Sequence, residues 1–189
     1  CYDGIGVLSV VPYKFYRIKK NEIYPYKAIM DYNDYKNLKL KFELVPDGCW
    51  YSNLRSALKP SEWDKVRRAA YARANGKCMI CGRAVNRLEA HERWSYNEKL
   101  GIQKLEDVIA VCHLCHSVIH IGRTQLTGDE DKAIKWFTYV NKCSYADYRK
   151  ALGYANEEHK RLNLVPEWAT DLTKLKDFLP DYKSPFEMP

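Results

Sequence analysis

Two short runs, CMIC at 78–81 and CHLC at 112–115, constrain this chain more than any other feature. Two cysteines separated by two residues turn both sulfurs toward one point, and two such knuckles complete a tetrahedral shell for zinc. Cys78, Cys81, Cys112 and Cys115 are therefore expected to hold a structural Zn2+, and any fold must bring the first pair against the second. The 30 residues between the pairs are more than a plain zinc ribbon carries, so something is inserted between the knuckles. Spending four of seven cysteines this way fits a reducing compartment better than a disulfide framework. Cys1, Cys49 and Cys143 fall in no motif and read as small buried hydrophobes.

With the thiolates committed, the histidines need their own account. Four of the five lie between positions 91 and 120. His116 follows the second knuckle at once and His120 comes four residues later, which on a helix sets both imidazoles on one face. His91 sits in RLEAHERW, readable as a strand. A three-imidazole site of His91, His116 and His120 follows, so the chain is expected to hold two ions. His113 and His159 read as surface residues.

Residues 1–45 read as β-rich. NLKLKFELV (37–45) alternates apolar with charged residues at period two, YKFYRIKK is a weaker strand, and DYND (31–34) supplies turn residues. From 61 the period becomes helical. Ser61 with Asp64 resembles an N-cap, Trp63, Val66, Ala70 and Tyr71 share a side, and NG at 75–76 ends the run. Thr127 with Glu130 reads as a capping box for a helix over 129–140, and Ser144 with Asp147 as the start of one running to 162. The proline-bearing tail from 166 reads as loop. The expected organisation is a β-rich segment (1–45), a zinc-binding core with its preceding basic helix (46–124), a helical segment (125–165) and an extended tail (166–189).

The formal net charge is +7, and residues 55–87 hold nine basic side chains against two acidic ones. So local a patch points to a polyanion. GIGVLSVV is too short to span a bilayer and has no basic residues before it, so neither a signal peptide nor a membrane partner is expected. A cytoplasmic setting is expected from the reduced cysteines.

CMIC, LEAHERW, LEDVIAVCHLCH and SVIH together resemble the HNH (ββα-metal) endonuclease family, over about residues 78–122. The preceding text from about residue 42, through SEWDKVRRAAYARANGKCMICGR, is similar to a group of bacterial and phage HNH proteins, while residues 1–40 have no counterpart there. The resemblance implies an α+β chain with a zinc-knuckled ββα-metal core. It also implies metal-dependent hydrolysis of phosphodiester bonds in nucleic acid, with DNA the expected substrate. In that likeness His91 corresponds to the strand ligand, and His116 and His120 to the helix ligands, of a catalytic divalent ion. Three imidazoles favour Zn2+, Ni2+ or a similar ion such as Mn2+ over Mg2+, which prefers oxygen.

Two departures fall on the chemistry. Glu92 stands where the family commonly has the histidine that activates water, and Asp107 where it has the asparagine that orients that histidine. In a second registration His91 is itself the base and Glu89 or Glu92 a ligand beside His116. Lys65, Arg67, Arg68, Arg73, Arg83 and Arg93 are the residues expected to hold the sugar-phosphate backbone or offset the Glu92 charge. The alternative function is a zinc-stabilised nucleic-acid-binding or scaffold protein on an HNH-like frame that has lost hydrolysis. A weaker third is a zinc-ribbon interaction module with one bound ion.

Overall fold

The basic segment forms α3 (Pro60–Ala74), third in order after two short helices, α1 (Tyr32–Lys36) and α2 (Leu54–Ala57), in a computed structural model that describes residues 29–50, 52–184 and 186. Proline suits the first helical position because its missing N–H has no partner there. The Lys59 amide donates to the Glu62 carboxylate at 2.9 Å, so the helix begins one residue before Ser61, the residue expected to cap it. Val66, Ala70 and Ala74 are buried, and the helix stops where Asn75 (φ 46°) and Gly76 (φ 71°) enter the left-handed region.

Next comes a hairpin of β1 (Glu89–Asn97) and β2 (Ile102–Val111), antiparallel, followed by α4 (His113–Ile119), α5 (Ile121–Leu126), α6 (Glu130–Asn141) and α7 (Tyr145–Leu162). A register shift between Arg93 and Trp94 puts Leu105 on the same face as Val108 and Ala110. That face packs on α2 and α3 with Leu172, Leu175 and Leu179. Ile109 and Val111 point the other way, into a core with α4, α6 and α7 where Phe42 stacks on Phe137 at 4.9 Å and meets the edge of Tyr148 at 5.5 Å. The architecture is α+β, with helices on both faces of a small sheet.

Three expectations about local structure are corrected. The described part of the N-terminal segment, 29–45, contains no strand: DYND opens α1, with Asp31 accepting from the Asp34 amide at 2.8 Å, and 37–45 is an extended strap over the helices. Its period two survives as burial of Leu40 and Phe42, while its backbone pairs with Asn141, whose side chain bonds both the amide (3.0 Å) and the carbonyl (2.8 Å) of Leu40. YKFYRIKK lies outside the described residues. Thr127 donates to the Thr124 carbonyl and does not box with Glu130, whereas Ser144 and Asp147 cap α7 reciprocally. The tail is more than loop. It supplies β3 (Ala169–Asp171), parallel to β2, a 3-10 turn over Thr173–Asp177 and part of a core. Among the described residues no helix is long and apolar enough to cross a membrane.

Candidate metal centre

The turn after α3 makes the first knuckle. The Cys78 amide donates to the Arg83 carbonyl at 2.9 Å and the Gly82 amide to the Cys78 carbonyl at 2.8 Å, with Gly82 at φ 76°. The Met79 amide reaches the Ala110 carbonyl (2.9 Å), which lays the knuckle on the end of β2. There Cys112 caps α4 and Cys115 lies in its first turn, so chain reversal through the hairpin inserted between the knuckles brings the pairs together. The sulfurs of Cys78, Cys81, Cys112 and Cys115 lie within 4.8 Å of one another and could hold a metal ion.

The electrostatics of this group lack a cation. A hydrogen bond from Cys115 lowers the Cys78 thiol to about 4, while burial pushes Cys112 up to about 11. Cys115 is pushed up chiefly by its bond to Cys78 and then by burial. Trp136 Nε1 also donates to Cys115 Sγ at 3.2 Å. One buried thiolate is tolerated on thiol donors alone; a positive ion would let the others ionise.

The hairpin and α4 also bring the three histidines together. His91 stands on β1 opposite Ile109, on the sheet face toward α4, and His116 projects from α4. At His120 the backbone (φ −91°, ψ 49°) leaves the helix and α5 begins, so the expected i,i+4 pair forms at the very end of α4. Ring centroids are 5.4 Å apart for His91 and His116, 5.0 Å for His91 and His120, and 4.6 Å for His116 and His120. One nitrogen from each lies within 4.8 Å of the others, close enough for one ion to be held.

Two carboxylates flank the rings. Glu43, on the strap, is 2.9 Å from His91 Nε2, and Glu89 bonds His116 Nδ1 and, at 3.0 Å, His113 Nδ1. Burial pushes Glu89 up, but the bonds to His116 and His113 outweigh it and leave the group below its ordinary range. Burial lowers His116 against the pull of Glu89, and burial followed by repulsion from His91 and His116 lowers His120 to about 3. These two rings are therefore neutral near pH 7 and present lone pairs, the form that binds metal. His91 is 4% exposed and its Nδ1 is buried with no hydrogen-bond partner. A bare acceptor among two further imidazoles is costly unless a cation meets it, and a carboxylate on the far nitrogen is the usual arrangement of a metal-binding histidine. The residues fit an ion.

The remaining site residues divide. Glu92 pairs with Val108, so it leaves β1 toward the α3 face while His91 leaves toward α4. Both, with Arg93, line a groove of about 790 Å3 whose walls also include Glu43 of the strap and Glu158 and His159 of α7. Asp107 orients no histidine: its carboxylate accepts from Arg73 at 2.7 Å and from the Val108 amide. Arg73 also donates to the Val108 carbonyl at 2.6 Å and sits 5.2 Å over the Phe178 ring, which commits it to the fold. Arg83 lies over Trp136, Arg67 and Arg68 pair with Asp64, and Lys65 is exposed. Of these, Arg67 lines a second cleft of about 780 Å3 that also contains His116 and His120, together with Arg55, Arg87 and Arg123.

Sequence reasoning missed Arg123 and Glu43. Arg123 had a signal, three residues past His120 in HIGR; Glu43, 48 residues from its partner, had none. His113 is 79% exposed as expected, but His159 is half-buried, bonding the Val45 carbonyl at 3.1 Å. Cys49 is buried and Cys143 half-buried; Cys1 lies outside the described residues. Comparison with protein-family models, with curated proteins and with solved structures gives no match to the chain.

Proposed function

We propose that this chain is a metal-dependent phosphodiesterase of the HNH type, acting on nucleic acid with DNA the expected substrate, in a reducing, cytoplasmic setting. One observation carries the reading: a buried, unpartnered imidazole nitrogen, His91 Nδ1, lies beside two neutral imidazoles that line an arginine-bearing cleft. His91, His116 and His120 would hold a divalent ion, Zn2+, Ni2+ or Mn2+ before Mg2+, and the four cysteines a structural Zn2+. When bound at the imidazoles, such an ion supplies Lewis-acid stabilisation of charge on the phosphate.

The protein groups do the rest. Arg67, Arg87 and Arg123 neutralise phosphates along the cleft, which sets the substrate's register without reading its sequence. Glu92 takes the proton from the attacking water at the β1 edge, with the neighbouring Arg93 offsetting its charge. In the second registration His91 is the base and Glu89 a ligand. Supercoiled plasmid incubated with the protein and a panel of divalent ions tests the proposal. Nicking is expected, lost on chelation and in His116→Ala.

The second reading, a zinc-stabilised nucleic-acid-binding protein without hydrolysis, is favoured by the opposed faces of His91 and Glu92 and by the engagement of Asp107 with Arg73. It predicts that the plasmid shifts in a gel and stays intact with every ion.

A further inference from the structure

The strap that carries Glu43 has no strand partner among the described residues, yet it is pinned at several points. The Leu40 backbone pairs with Asn141, the Glu43 amide donates to the Ile119 carbonyl at 3.0 Å, and the Val45 carbonyl meets His159. Leu40 and Phe42 are buried and anchor it from below. Its path brings Glu43 against a histidine on a different element. The Glu43 side chain is 31% exposed and its carboxylate lies 2.9 Å from His91 Nε2, at the opposite side of the ring from the buried Nδ1.

A neutral imidazole carries one proton, and the partner at one nitrogen decides where it sits. An ionised carboxylate can only accept, so in the neutral ring Nε2 donates and Nδ1 is left as a lone pair. That nitrogen is the buried one with no hydrogen-bond partner. Glu89 does the converse for His116, holding Nδ1 and freeing Nε2. The two ligands thus need opposite tautomers, and each has its own carboxylate to select it.

We propose that Glu43 is a positioning residue of the imidazole site, fixing His91 in the Nε2–H tautomer so that Nδ1 is offered to an ion, and thereby making the 37–45 strap part of the metal centre. This rests on the reading that the three imidazoles hold an ion, but not on hydrolysis. Ion binding and docking of the strap are then linked, each favouring the other by the same factor. A carboxylate supporting a ligand histidine is commonly worth about 10- to 100-fold in metal affinity.

The test uses the full chain with zinc already on its cysteines. Nitrogen-15 NMR of the histidine rings reads the His91 tautomer before nickel is added, and titration with Ni2+ against a competing chelator reads affinity. The parent is expected to show a single Nε2–H form. Glu43→Ala is expected to mix the tautomers and weaken Ni2+ by about 10- to 100-fold, while Glu43→Gln, whose amide oxygen still accepts from Nε2, keeps the tautomer and loses less. Because Glu43 is part-exposed and the anchors Leu40 and Phe42 are untouched, the alanine variant should fold. An alanine variant that keeps both the Nε2–H tautomer and the parent's Ni2+ affinity overturns the proposal. A parent that leaves plasmid intact while these results hold ends the nuclease reading alone, since no nucleic acid enters either measurement.

Discussion

Two arginines, equivalent on charge grounds, should separate cleanly on substitution. Arg73 belongs to the basic run that sequence assigns to a phosphate backbone, yet its guanidinium pairs with Asp107, donates to the Val108 carbonyl and lies over Phe178. The ion pair is 45% and 28% exposed and contributes at most about 1 kcal/mol. The carbonyl bond adds about 1 kcal/mol and the ring contact about half that. Arg73→Ala should therefore cost about 2 kcal/mol, which for a chain of this length lowers Tm by roughly 4–8 °C. Arg123 is exposed on the cleft lined by His116 and His120, and Arg123→Ala should leave Tm within about a degree. Fluorescence anisotropy with a labelled duplex, from roughly 50 to 200 mM salt, gives the number of phosphates engaged. The slope of log K against log salt should fall by about 0.9 in Arg123→Ala and stay unchanged in Arg73→Ala. A lowered slope with an unshifted Tm in Arg73→Ala would refute this division of labour.

Other outcomes follow from the same contacts. If the four cysteines hold zinc as proposed, Cys115→Ser should release it and unfold the hairpin and α4, because apparent zinc affinities of about 10–16 kcal/mol match or exceed the whole stability of a domain; circular dichroism that matches the parent's would sink this. Gly101→Ala should destabilise by more than about 1 kcal/mol in urea, since φ is +61° there and the new Cβ would stand 2.7 Å from the Glu167 carbonyl oxygen, beside the bond from the Ala169 amide that starts β3. In the protein with no ion at its imidazoles, burial holds His120 near 3 when folded, against about 6.5 unfolded. The unfolded chain therefore binds the extra proton first, and stability present above pH 6.5 is lost as pH falls toward 3. Between pH 7 and 5 the loss from this residue is about 2 kcal/mol. Urea midpoints of the parent and His120→Gln at both pH values should show the variant less acid-sensitive; equal losses would rule the mechanism out.

How much of the centre was legible depends on the range over which each contact is set. Backbone geometry within four residues decides the two C-x2-C knuckles and the His116–His120 pair, so spacing alone exposed them. The meeting of His91 with that pair needed a hairpin, of which RLEAHERW marks the first strand. Period two in 37–45 reported which side chains are buried and was silent on what bonds the backbone, because Asn141 serves the Leu40 amide and carbonyl as a neighbouring strand would. Asp107 was misplaced for a related reason. Its partner depends on a register shift at Arg93 and Trp94 that no residue type marks, and the opposed faces of His91 and Glu92 follow from the pairing on the near side of that shift.

The same limit explains why charge counting could not tell the arginines apart. A sum over residues 55–87 treats Arg73, Arg67 and Arg87 alike, but a cation already meeting a carboxylate, a carbonyl and a ring has little left for a phosphate. Arg123, outside the summed run, stands on the cleft, three residues after α4 breaks at His120 and α5 starts. A continuous helix would carry residue 123 about 300° beyond residue 120, nearly back to the same face, so the break alone does not bring it there. What the break decides is the His120 ring, freed from helical geometry to close on His91 at 5.0 Å while Arg123 remains beside it. The histidine that ends α4 therefore closes the imidazole cluster beside Arg123, and its backbone conformation, more than any motif, joins that cluster to the cleft.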